Sequence, residues 1–292
     1  MEVQWQLVLF TLFICLGAGV FAVTGLLGLL GKDDKVRLPG LAVSLVSLGI
    51  GGFASLFHIQ HWERMFNGFG HLSSGITQEL FAMVIMVIAI AVYFIVSRKG
   101  TTPKWAGIMA IIVSFLMVFT MTHSYLMPSR PLWDSALLYL FYFANMILFG
   151  GLCVALICGL KDVSGSIACK VAVVGAALQA AAAIGYAIFI PKVGKVFTTV
   201  QYYFDPNNPT KDIMDPAGIF SGYLGGDGLV LFWILAVVIG VVLPLVAAII
   251  AYKKTGKTLV LIVAIGLACA LVGGLAFRVL LYDLGFSLFV FY

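Results

Sequence analysis

Long apolar runs alternate with short polar breaks along this chain, and within the runs no in-and-out period of two marks barrel strands. A helix needs about 20 apolar residues to cross a hydrocarbon layer of about 30 Å. Eight runs come near that length, over residues 7–30, 38–57, 80–96, 105–122, 135–160, 171–190, 229–252 and 258–277. Helices are predicted, because backbone N–H and C=O groups in lipid must be paired within their own segment. The expected fold is all-α: a polytopic integral membrane protein forming one membrane domain over residues 1–292, a bundle of about eight transmembrane helices.

Smaller features refine this picture. Small residues at Gly17 to Gly19 and at Gly49 to Gly52 predict close helix approach, and Pro244 predicts a kink in the seventh run. The longest polar stretch, residues 191–228, holds Pro206, Pro209 and Pro216 among glycines and aspartates, which predicts an ordered loop rather than a helix. Residues 280–292 are apolar and aromatic but too short to span, so an interfacial tail is expected. The first run has no basic flank and no small-residue cleavage pattern, and reads as a retained span.

Composition excludes a soluble protein. With 62% hydrophobic and 10% charged residues and a mean hydropathy of +1.12, the chain has more apolar surface than a soluble domain of its length can bury. Cys15, Cys153, Cys158, Cys169 and Cys269 lie mostly within apolar runs and lack metal-ligand spacing, so neither a disulfide framework nor a metal site is expected. The net charge of +5 comes from short loops between spans and needs no nucleic-acid partner. Loops one, three, five and seven carry Lys32, Lys35, Arg37, Arg98, Lys99, Lys104, Lys161, Lys170, Lys253, Lys254 and Lys257, which is 11 of the 17 cations. By the positive-inside rule these loops are cytoplasmic and both termini lie outside.

On that topology all four histidines, His58, His61, His71 and His123, fall on the outer side. His58 closes the second run and Glu79 opens the third, so an antiparallel pair brings both to one depth. Arg278 follows the eighth run, with Tyr282 one turn later at the same face. A membrane-edge pocket of imidazole, carboxylate, guanidinium and phenol suits proton exchange with a lipid-borne ligand. Taken singly, each of these residues is also an ordinary interfacial anchor. His58 and His61 lack a further ligand at metal spacing, and a haem between His58 and His123 needs histidines facing each other within the bundle; neither is expected. Phosphate-binding glycine loops, the dinucleotide fingerprint and the nucleophile elbow are all absent. Buried mid-span charges would favour transport, and the runs hold essentially none. On residues alone a carrier, a channel and a quinone-reactive membrane anchor stay open.

A set of short elements resembles the DmsC family, the membrane anchor subunits of dimethyl sulfoxide reductase-type molybdoenzymes. The opening Leu7 to Phe13 followed by Gly17-Ala18-Gly19-Val20-Phe21 is similar to the family's first span. The second loop is more specific, with His58, Arg64, Phe66-Asn67, Ser74 and Glu79 in the family's order. Tyr125, Pro131, Trp133, Gly150-Gly151 and the pair Arg278 and Tyr282 resemble later elements. Around His61-Trp62 the family's Gly-Ser-Pro is missing.

The resemblance implies eight helices with both termini outside, in the cytoplasmic membrane of a prokaryote. It implies oxidation of menaquinol near the outer face, with electrons passing to an iron-sulfur subunit and then to a molybdopterin catalytic subunit on that face. The quinol-site role carries over to His58 and Glu79 as the catalytic pair, and to Arg64, Arg278 and Tyr282 as further binding residues. Haem and metal are not expected on this chain. The same anchor working in the quinone-reducing direction, or a non-redox anchor or transporter, are the alternatives.

Overall fold

The computed structural model describes residues 3–58, 71, 73–98, 100–199 and 215–288. Eight helices in it are long and apolar enough to cross a membrane. They are α1 (Trp5–Leu29), α2 (Arg37–Leu56), α3 (Gly75–Ser97), α4 (Lys104–Ser124), α5 (Ala136–Leu160), α6 (Ser166–Gly194), a π-helix Val230–Val242 continued by α8 (Leu243–Ala251), and α9 (Gly256–Asp283). A short helix α7 (Pro216–Gly222) precedes the seventh span. Among the described residues there is no strand.

Burial separates the helices into a centre and a periphery. The most apolar windows of α1 and α5 are 78% buried, whereas those of the other spans are 33–44% buried. Helix α1 packs on α2, α4 and α5, while α5 packs on α1, α6 and α9. Two groups of four spans therefore meet along the α1–α5 seam. Residues such as Ile88, Ile184, Val230 and Leu261 stay exposed on the periphery, where lipid is their solvent.

Lipid tails are as apolar as leucine, so close packing rather than the hydrophobic effect must hold these helices together. Glycines supply the approach. A Cβ added to Gly19 of α1 would collide with the Met146 carbonyl and Gly150 of α5, and one added to Gly150 would meet the Gly19 backbone. Gly25 and Gly107 bring α1 against α4, and Gly240 and Gly273 bring the π-helix against α9. Of the two glycine clusters singled out in the sequence, Gly17 to Gly19 sits in such contacts, and in Gly49 to Gly52 a Cβ on Gly51 would meet the Phe10 carbonyl and one on Gly52 would meet Met83, while Gly49 faces open space.

The seventh span departs from a plain kink. Its π register ends where the Leu243 N–H donates to the Val238 carbonyl, and the α register resumes at Pro244. Proline has no N–H to donate, so it marks the place where the ladder changes step.

Boundaries differ from the sequence reading wherever a polar residue is buried or a proline is tolerated. Helix α9 continues past Phe277 through Arg278 and Tyr282 to Asp283, so the start of the expected tail is helical. Helix α6 runs through Pro191 to Gly194 and a 3₁₀ turn follows over Lys195–Thr199. With α7, capped by the Asp215 carboxylate on the Gly218 N–H at 3.0 Å, this makes the expected loop partly helical.

At the lysine-rich end of the bundle, hereafter the basic end, a clasp ties the first loop to the third. Asp33 is buried and accepts hydrogen bonds from Thr102 Oγ1 at 2.5 Å and the Tyr93 hydroxyl at 3.1 Å. Arg37 Nε lies 3.8 Å from the same carboxylate, and its Nη1 donates to the Ser97 carbonyl at 2.6 Å. Arg37 is thus a structural cation as well as a topological one.

Gly150→Ala should lower the thermal unfolding midpoint of the detergent-purified protein, because two backbones must part; overpacking of this kind costs about 1–3 kcal/mol. Gly49→Ala, which meets nothing within 4 Å, should leave the midpoint unchanged or raise it. Equal effects would remove the seam from its central place.

Candidate functional site

His58 lies just beyond the end of α2, and Glu79 sits in the second turn of α3. The two line one cleft of about 230 Å³ together with Leu7 and Phe10 of α1, Gly52, Ser55 and Leu56 of α2, and Ile76, Leu80 and Met83 of α3. Antiparallel neighbours place the end of one helix beside the start of the next, which is why residues 21 apart in sequence share a wall. The lining is mostly aliphatic, with His58 and Glu79 as its titratable groups. An apolar slot with a few convergent polar groups is the usual form of a small-molecule site.

Glu79 is joined to α4. Its carboxylate accepts a hydrogen bond from the Ser124 hydroxyl, which also lies 2.8 Å from the Met121 carbonyl. A serine hydroxyl carries one proton. With that proton on Met121, the Glu79 contact requires a protonated carboxyl; with Glu79 ionised, the proton turns towards it. Ser124 therefore accommodates both charge states of Glu79.

The structure does not bring Arg278 and Tyr282 to the lining of this cleft. Expected at the outer end of the eighth span, Arg278 is instead inside α9, 1% exposed. The misreading came from treating an arginine at the end of an apolar run as interfacial. All five guanidinium N–H groups find acceptors: Nε donates to Thr11 Oγ1 at 2.8 Å, Nη1 to Asn145 Oδ1 at 3.0 Å and the Gly274 carbonyl at 2.8 Å. Nη2 donates to the Thr11 carbonyl at 3.3 Å and Cys15 Sγ at 3.6 Å. The rings of Phe141 and Tyr142 lie 5.2 and 5.1 Å from the guanidinium carbon. Among the described residues both ion pairs belong to Arg37, so no carboxylate pairs with Arg278.

A guanidinium has no acceptor, so the Asn145 oxygen faces it and the amide nitrogen is free for Gln179 Oε1, at 2.7 Å. Asn145 and Gln179 belong to this network and were missed in the sequence. Their signal was an uncharged amide inside otherwise apolar runs.

Beside Arg278 is a narrow chamber of about 10 Å³, lined by Leu7, Val8, Thr11, Tyr125, Trp133, Leu138, Tyr142, Leu281 and Tyr282 as well. That is the room of about one water molecule, far too small for an aromatic ring. Among the described residues the buried Tyr282 hydroxyl has no hydrogen-bond partner. Trp133 Nε1 donates to the Leu281 carbonyl at 2.8 Å, and Arg130 Nη1 to the Gly285 carbonyl at 2.9 Å, which fixes the loop between α4 and α5 against the end of α9.

Cleft and chamber are neighbours. Leu7 lines both, and Tyr125 of the chamber follows Ser124 of the cleft pair. Burial, and then the nearby charge of Glu79, push the Tyr125 phenol well above its ordinary value, so it stays a proton donor.

The other candidates lie elsewhere. Arg64 and His61 fall outside the described residues. His71 is exposed. His123 is exposed, 3.0 Å from the Tyr139 hydroxyl and stacked on Phe119. Among the described residues no group of three His, Cys, Asp or Glu is placed to hold a metal ion.

An eight-span bundle with an apolar-walled cleft holding His58 and Glu79 at one end is the architecture of a multi-pass membrane subunit. The DmsC family profile, described as the DMSO reductase anchor subunit, matches residues 1–284, and the chain belongs to that family. It is 26% identical over 162 residues to YnfH, an anaerobic dimethyl sulfoxide reductase chain of Escherichia coli, with 53% of this protein and 57% of that one covered. It is 28% identical over 155 residues to a chain of the anaerobic dimethyl sulfoxide reductase of Haemophilus influenzae, with 50% and 56% covered. The protein thus spans somewhat over half the length of the curated relatives it matches. No solved structure matches it.

Arg278→Lys should destabilise the protein, because an ammonium has three donors and cannot reach acceptors spread over α1, α5 and α9. The expected cost is about 2–4 kcal/mol, from buried acceptors left bare, read as a lowered thermal midpoint in detergent. A wild-type midpoint would mean that the charge alone matters.

Proposed function

We propose that this chain anchors a DMSO reductase-type molybdoenzyme complex in the membrane and oxidises menaquinol, its substrate, in the cleft between α2 and α3. The observation that carries the reading is that His58 and Glu79 share one aliphatic-walled cleft at the membrane edge. Family membership favours this role over an unrelated carrier or channel. The narrow chamber around Arg278 has room for about one water only.

Oxidation of a quinol releases two protons and two electrons. The quinol ring enters from the lipid side and one hydroxyl gives its proton to the His58 imidazole, the general base. Glu79 accepts the other, and Ser124 reorients as the carboxylate gains its proton. The electrons leave to an iron-sulfur subunit, which supplies a molybdopterin catalytic subunit. The excess of lysine and arginine at the opposite end supports a cleft on the outer face of the cytoplasmic membrane. Arg64, six residues beyond His58, is assigned to the quinol on the family pattern. Arg278 and Tyr282 act from behind the cleft wall, Arg278 holding α1 to α5 and α9.

His58→Ala and Glu79→Gln in the assembled complex should each lower menaquinol-dependent turnover about 100-fold or more, the scale of a lost general base. Reduction by a soluble artificial donor that bypasses the membrane subunit should be retained. Ser124→Ala should give a smaller loss, about tenfold. Wild-type quinol turnover in both of the first two variants would remove the assignment.

A further inference from the structure

At the basic end of the bundle a second lipid-facing feature has no part in the quinol reading. A groove of about 400 Å³ runs between α6 and α8, lined by Lys170, Val173, Val174, Ile249 and Tyr252. Val174 and Ile249 are 55% and 57% exposed, so the groove opens outwards. The Lys170 ammonium lies 5.3 Å from the centre of the Tyr252 ring. Among the described residues no carboxylate pairs with Lys170, since both ion pairs belong to Arg37. Lys253 and Lys254 follow Tyr252 directly and are exposed.

The groove has a polar head and an apolar body in the order a membrane lipid requires. Along α6, Val173 and Val174 lie three and four residues beyond Lys170, about 4.5–6 Å deeper by helix rise. Along α8, which is antiparallel, Ile249 lies three residues before Tyr252 and so at matching depth. The other groove at this end, about 250 Å³ and lined by Arg37, Arg98 and Leu38 among others, includes Asp34, whose carboxylate is 3.2 Å from Arg37. An anion would meet a negative charge there, and none lines the groove at Lys170.

We propose that the α6–α8 groove binds one phospholipid with an anionic headgroup. Its phosphate sits on the Lys170 ammonium beside Tyr252, within the field of Lys253 and Lys254, and an acyl chain lies along Val173, Val174 and Ile249. The ammonium is held over the tyrosine ring and so is positioned before the lipid arrives. Lysines at a bilayer surface attract anionic lipid, and here a shaped hydrocarbon slot turns that general attraction into a single site.

The test uses the full purified chain in mild detergent with phosphatidylglycerol as the probe and phosphatidylcholine as the neutral control, read by native mass spectrometry. One retained phosphatidylglycerol is expected that excess phosphatidylcholine does not displace. Lys170→Glu should weaken its retention about tenfold or more, and Val174→Trp, which fills the groove from an exposed position, should also release it. Lys257→Glu, at the same end but outside the groove, should leave it bound. Equal loss with Lys257→Glu, or no loss with either groove variant, would overturn the proposal in favour of a diffuse surface potential. Should Lys170→Glu not fold, Val174→Trp against Lys257→Glu decides alone. Quinol turnover is not the readout, so this result and the reading of the cleft stand or fall separately.

Discussion

The backbone contact between α1 and α5 is the constraint on which the rest of the molecule depends. Gly19 and Gly150 leave no room for a side chain between them, and each of the two helices carries its own group of spans. Because α1 is central, it supplies Leu7 and Phe10 to the cleft and Thr11 and Cys15 to Arg278. A bundle that packs without a hydrophobic drive must find its register through such small-residue contacts and through polar groups satisfied inside it.

Two polar assemblies arise on either side of that central helix, and their physical characters differ. The cleft is open to lipid, aliphatic and sparsely polar, with an exposed histidine and a carboxylate tied to one serine. The chamber is narrow and largely aromatic, and among the described residues its cation is met by uncharged acceptors. A cleft of about 230 Å³ can hold a ligand, whereas one of about 10 Å³ suits a fixed structure. The two are coupled through the short step from Ser124 to Tyr125 rather than through a shared cavity.

The eight spans were legible because hydrophobic length is a strong signal, and the glycine pattern of the first span announced a tight contact. The cleft was legible for a simple reason: His58 follows the end of α2 and Glu79 lies near the start of the antiparallel α3. Arg278 was misread because a charge at the edge of an apolar run looks the same in sequence whether it snorkels outwards or turns into the bundle. Asn145 and Gln179 gave a weaker sign, one amide in each of two apolar runs, whose meaning needed the third partner. Helix α7 and the continuation of α6 through Pro191 were hidden by proline and glycine, and the π register before Pro244 leaves no periodic mark.

The matching of five N–H groups to five acceptors on Arg278 has an electrical consequence. A guanidinium so bound cannot swing towards an arriving molecule without baring an acceptor in a medium that offers no replacement. Its positive potential is therefore stationary. Tyr125 feels that potential together with the opposing one from Glu79, so the wall behind the cleft is polarised in advance by a charge that does not reorganise.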